Sequence, residues 1–219
     1  MATFDRADVE RVIEAVHRCP PLQGDYAIDD YVLNVALTVL DFQLQTVAVE
    51  RARAHFEANH GDMIKTHGDL KVLLAKYPDT EAGNTDGALI MFGYRLWTRV
   101  GLMRQLLRYF EDQKVTDQSA LREWAERSEF KRDFEGRVRI QARGRTQGLG
   151  IAVYNWLVMR QRVPSIKPDV HVTRFFQRVL DRGLNDQEIV SLGMEAAKQM
   201  GVPAHELDWR IWESERARE

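Results

Sequence analysis

Residues 147–178, QGLGIAVYNWLVMRQRVPSIKPDVHVTRFFQR, narrow the choice of fold more than any other stretch. Gly148 and Gly150 flank a single apolar residue, Leu149. Glycine tolerates positive φ and lets another backbone come close, so a tight turn is expected there. An apolar helix follows, from Ile151 to about Met159, and a short loop then ends in Pro168-Asp169-Val170-His171-Val172. The first N–H groups of a helix have no intrahelical acceptor, and such groups hold phosphates. A phosphate clamp upstream of one carboxylate, Asp169, points to a protein that grips a nucleic-acid backbone and does chemistry beside it.

The charge pattern agrees. The whole chain carries a formal charge of −2, which by itself favours no anionic partner. Residues 131–182, however, hold 12 Lys+Arg against 4 Asp+Glu, so the basic density falls on the segment around the glycine turn. Six of these cations, Lys131, Arg132, Arg137, Arg139, Arg143 and Arg145, directly precede it.

A chain of 219 residues that is 44% hydrophobic can bury a core as one larger domain or two small lobes. No apolar run approaches the roughly eighteen residues of a membrane span, so no membrane partner is expected. The opening stretch MATFDRADVERVIEAV is charged and lacks the apolar centre of a secretory signal. A single cysteine, Cys19, cannot form an internal disulfide and fits a reducing cytoplasm, the expected location. It is expected as a small buried apolar residue.

Periodicity predicts an all-α chain. Val9, Val12, Ile13 and Val16 mark a helix over residues 5–19, stopped by Pro20 and Pro21. Residues 29–59 read as one or two helices with Asp29 or Asp30 as cap. A short helix follows Thr66, with His67 expected at the surface or as a cap. The stretch DTEAGNTDG, residues 79–87, reads as a loop and as the edge of a first lobe. Residues 88–112 read as one long helix or as a pair broken near Gly93 or Gly101, with Arg95, Arg99, Arg104 and Arg108 as a solvated basic face. A helix over 118–128 is capped by the Thr116-Asp117 stretch. Residues 129–146 are then expected to supply a helix leading into the glycine turn, although the alternation Arg137-Val138-Arg139-Ile140 is also strand-like. Two further helices close the chain: one is capped by Asn185 or Asp186, and the other, from about Ala204, turns Leu207 and Ile211 inward.

The Gly148-Leu149-Gly150 turn, followed by Asp169 seventeen positions after Ala152, resembles the helix-hairpin-helix DNA glycosylase superfamily. Pro-Asp-Val-His-Val stands close to that family's Val-Asp-x-His-x pattern. The likeness extends over about residues 30–212, while its specific residues lie between 148 and 174. Gln147 stands where the family has proline, and Ala152 where its lyase-competent members have lysine. The four-cysteine iron–sulfur cluster of some members is excluded by the lone Cys19. The resemblance implies a two-lobed helical bundle. One lobe would comprise residues 30–116 with a returning C-terminal helix 204–216. The other would comprise 117–203, with a helix-hairpin-helix at 136–158.

On that resemblance duplex DNA is the expected partner. Gly148, Leu149, Gly150, Arg143, Arg145 and His171 would hold its backbone, and Asp169 would be the catalytic carboxylate. Gln43 would fill the gap left by an extruded base, with Gln45 as the alternative and Asp41 as a second acid facing the same cleft. No cofactor is expected, though a monovalent cation can sit at such a hairpin. Cleaving an N-glycosidic bond builds positive charge on the sugar, which a nearby carboxylate stabilises while orienting water. Three functions follow: a monofunctional glycosylase, a non-catalytic DNA-binding protein, or a helical scaffold or small-ligand protein unrelated to DNA.

Overall fold

The computed structural model describes residues 4–22, 24 and 26–218. In chain order its elements are α1 Arg6–His17, α2 Tyr31–Leu40, α3 Thr46–His60, α4 His67–Ala75, α5 Glu81–Phe92, α6 Trp97–Asp112 and α7 Gln118–Arg127. A π-helical turn Phe130–Phe134 leads into β1 Arg139–Ala142 and β2 Arg145–Gly148, then α8 Ile151–Arg160, α9 Val170–Leu180, α10 Asp186–Met200 and α11 Ala204–Arg216. The chain is mostly helical, as its periodicity predicts. It divides into two compact units, one of residues 28–157 and one of residues 1–27 with 158–219.

In the first of these units, α5 packs on α6 and α3, and α6 also receives α2 and β1. Val100, Leu102, Met103, Leu106 and Phe110 of α6 are fully buried, so this helix is the axis of the unit. Residues 79–87 are not a loop. Thr80 Oγ1 caps α5 by accepting from Gly83 N–H at 3.2 Å. The glycines serve packing, since a Cβ on Gly83 would lie 2.3 Å from the Pro78 carbonyl and one on Gly87 would touch the Tyr77 ring. The break before α6 comes at Gly93, in the left-handed region with φ +70°, while Gly101 continues α6. The basic face of α6 is partly spent inside the protein: Arg104 donates to Asn84 Oδ1 and to the Leu74 and Tyr77 carbonyls. His67, expected at the surface, is buried, with its Nδ1 2.9 Å from the Tyr31 hydroxyl.

The expected helix before the glycine turn is a β-ribbon instead, so the 136–158 segment is strand–strand–helix and not helix-hairpin-helix. The period-two pattern decides this. Val138 and Ala142 are buried and Ile140 lies against Gly101 of α6, while Arg137, Arg139 and Gln141 face out. Arg139 pairs with Gly148 and Ala142 with Arg145. The two-residue turn Arg143-Gly144 has φ +52° and +71°, the conformation that matches the twist of paired strands.

In the other unit, Val9, Val12 and Val16 of α1 pack with Phe175, Phe176, Leu192 and Ile211. Here α11 packs on α9 and α10, so it belongs with residues 158–203 and not with a lobe of residues 30–116. Cys19 is half-buried against this core. The loop before α9 is pinned by Ile166, which seats where Gly193 has no Cβ; a Cβ there would lie 2.8 Å from Ile166 Cγ1.

Candidate functional site

Each sequence-predicted residue now has a place. Gly148 ends β2, where a Cβ would meet the Val138 carbonyl at 3.0 Å, so close approach and not positive φ explains this glycine. Leu149 is 3% exposed and its N–H donates to Val138 O at 3.0 Å, so its amide is spent on the ribbon. Gly150 is exposed, and its carbonyl accepts from Tyr154 N–H as the first bond of α8. The N–H groups of Ile151 and Ala152 have no acceptor among the described residues. The open backbone donors expected around the Gly-Leu-Gly turn are therefore those of the first turn of α8.

Arg137, Arg139, Arg143 and Arg145 are all exposed, and among the described residues none of their side chains makes an ion pair or hydrogen bond, although the charge of Arg137 helps to lower the Asp133 carboxyl. Several exposed arginines elsewhere find carboxylates, Arg108 with Asp79, Arg122 with Asp29 and Arg132 with Asp133, while Arg51, Arg95 and Arg127, like the four of the ribbon, make no ion pair among the described residues. Arg143 also occupies a left-handed turn position that asparagine or glycine fills at lower energy.

In the other unit, Asp169 caps α9, its Oδ1 accepting from His171 and Val172 N–H at 3.0 and 3.1 Å. The cap leaves Oδ2, which lies 3.7 Å from Lys167 Nζ. The Asp169 side chain is 17% exposed, enough to reach solvent without being sealed in the core. His171 lies edge-on to Trp212, ring centres 5.8 Å apart. Asp208 on α11 joins this group, unforeseen from the sequence. It is 5% exposed and its Oδ1 accepts from Lys167 N–H at 2.7 Å. Burial pushes its carboxyl up to about 8, and the negative charge of Asp169 adds to the rise. The signal was there: Asp208 sits between Leu207 and Ile211, at the edge of the inward face of α11.

Asp41, Gln43 and Gln45 do lie where one helix of the bundle turns into the next, between α2 and α3. Asp41 is the C-cap residue of α2. Gln43 is exposed with φ +56°, and Gln45 stands at the start of α3 without a side-chain cap bond. Between them Phe42 is buried beneath the guanidinium of Arg99, 5.2 Å from ring centre to Cζ. Among the described residues no group of three or more His, Cys, Asp or Glu is placed to hold a metal ion.

No curated protein and no solved structure matches the chain. One family model does, and it spans residues 45–216, taking in the arginine ribbon, Asp169 and Asp208 alike. The chain therefore belongs to the family described as a domain of unknown function, DUF8548.

Proposed function

We propose that this chain binds duplex DNA through the β1–β2 ribbon, with the first turn of α8 as a further phosphate contact. The observation that carries the reading is the concentration of four exposed arginines, Arg137, Arg139, Arg143 and Arg145, within nine residues on and beside one short ribbon, none of them in an ion pair among the described residues. A two-stranded ribbon has the width to enter a major groove, and arginine holds phosphate oxygens through a planar fork of donors. The chain's net charge of −2 confines attraction to this face. Binding to a short duplex should weaken with salt at a log–log slope of about −3.6, from about −0.9 for each of four phosphates neutralised. Replacing Arg143 and Arg145 with glutamine should remove about half of that slope. An unchanged slope in the double variant would remove the ribbon from the interface.

A second, catalytic reading rests on the free oxygen of Asp169. Because Oδ1 caps α9 while Oδ2 is held only loosely by Lys167, the carboxylate can serve fold and chemistry together. With Ala152 at the lysine position of the resembled enzymes, water would be the nucleophile. Asp169→Asn keeps an oxygen for the cap and removes the charge. Base release from a panel of damaged duplexes should vanish in this variant while duplex binding persists. Release at the wild-type rate would take Asp169 out of the mechanism.

A further inference from the structure

Arg99, on α6 of the ribbon-bearing unit, has no part in the reading above. It is 5% exposed, yet among the described residues no carboxylate lies within ion-pair distance and its Nε has no acceptor. Among the described residues its side chain makes one hydrogen bond, Nη1 donating to Thr98 Oγ1 at 2.9 Å, and its guanidinium lies over the Phe42 ring. Burial alone lowers its pKa, and no neighbouring acid offsets the effect. A buried cation without a counter-charge is strongly unfavourable, and proteins keep one where an anion completes it.

The position on α6 says what kind of anion. Trp97, Thr98 and Arg99 form the first turn of a 16-residue helix whose N-cap, Leu96, offers no side-chain acceptor. The N–H groups of Trp97 and Thr98 have no acceptor among the described residues, while Arg99 N–H is satisfied by Leu96 O. Side chains on a helix lean toward its N-terminus. The contact with the Thr98 hydroxyl places the guanidinium beside the first turn of the helix. One turn therefore gathers two main-chain donors, the Thr98 hydroxyl, the charge of the Arg99 guanidinium and the positive end of the helix dipole.

We infer that the N-terminus of α6 is an oxoanion site for a phosphoryl group, with Arg99 as its buried counter-charge and Thr98 and the main-chain amides of Trp97 and Thr98 as its remaining donors. Several donors around one point suit a tetrahedral phosphoryl group with an oxygen for each. Two sources offer that chemistry, a free phosphate and a phosphodiester of bound nucleic acid. The site does not depend on the ribbon reading, because free phosphate alone tests it.

The probe is inorganic phosphate added to the full chain, with sodium chloride at matched ionic strength as control. At about 100 times its dissociation constant, phosphate should raise the melting temperature by about 5 °C or more over chloride. Arg99→Met, which fills the same space without charge, should fold and show no phosphate-specific rise. Should that variant not fold, Thr98→Val gives the same answer by weakening phosphate about tenfold through the loss of one hydrogen bond to a charged group. A wild-type response no larger than that to chloride, or an equal response in the variants, overturns the site. Competition identifies the source. Phosphate that displaces a short duplex from wild type but not from Arg99→Met marks a phosphodiester, and phosphate bound without displacement marks a free phosphate ligand. The ribbon reading, by contrast, fails or stands on the salt slope of the Arg143 and Arg145 variants.

Discussion

Between about pH 4 and pH 8 the stability of this chain should fall as pH rises, with Asp208 contributing up to about 1.4 kcal/mol per pH unit. The native state holds this carboxyl protonated up to about 8, whereas the unfolded chain releases the proton near the ordinary value of 3.8. In that window the native state therefore binds one more proton than the unfolded state. The stabilisation is complete below the unfolded value and is lost as pH climbs through the folded one. Desolvation is the main cause: the group is 5% exposed, and the repulsion of Asp169 adds to it. Asp208→Asn removes the titration and keeps an oxygen to accept from Lys167 N–H, a bond of 2.7 Å in the native chain. Urea midpoints at pH 5, 6.5 and 8 should decline in the wild type and stay nearly level in the variant, which becomes the more stable protein at pH 8. The acidic flank of the profile has other owners. Arg182 and Arg11 hold Asp8 below the usual carboxylate range, Arg132 does the same for Asp133, and these contributions disappear only as pH falls below about 4. A variant with the same slope as wild type would show that Asp208 is not the titrating group.

How much of this was legible in the sequence depends on whether a residue answers to its own helix or to a distant partner. The helices α1, α7 and α10 were readable because their apolar spacing comes with local caps, Asp5, Asp117 and Asn185. The helix α5 was not, because Gly83, Asn84 and Gly87 look like loop residues. Their roles lie in close contacts with Pro78, Tyr77 and Arg104, which no local rule displays. The ribbon was written in the alternation of Val138, Ile140 and Ala142, but the Gly-Leu-Gly turn drew the reading toward a helix. In the site, the cluster of basic residues before Gly148 could be seen directly. The fate of Arg99 could not: it and Arg108 lie on opposite sides of α6, nine residues apart, and only Arg108 pairs with a carboxylate, Asp79, at the surface while Arg99 is buried. The packing of Phe42 under Arg99 is a long-range contact that no local pattern displays.

The largest loss from a single core truncation is expected at Trp124. The indole is 2% exposed, and four aromatic rings, those of Tyr109, Phe110, Phe134 and Tyr154, have centres 5.2 to 6.2 Å from its own. Its Nε1–H donates to the Tyr109 hydroxyl at 3.1 Å. Two of these neighbours bracket the ribbon in the chain, since Phe134 lies just before β1 and Tyr154 is in the first turn of α8. Trp124→Ala should therefore destabilise the protein by about 3–5 kcal/mol. Trp124→Phe should be milder, because it keeps most of the packing and forfeits the bond to Tyr109. The aromatic cluster also seats the ends of the ribbon, so the position of Arg137–Arg145 depends on it. Duplex binding by the alanine variant, measured at a temperature where it stays folded, should weaken together with its unfolding midpoint. Trp124→Phe should bind duplex nearly as wild type does. A Trp124→Ala protein as stable as wild type would mean that this cluster does not organise the unit, and with it the seating of the ribbon would lose its physical basis.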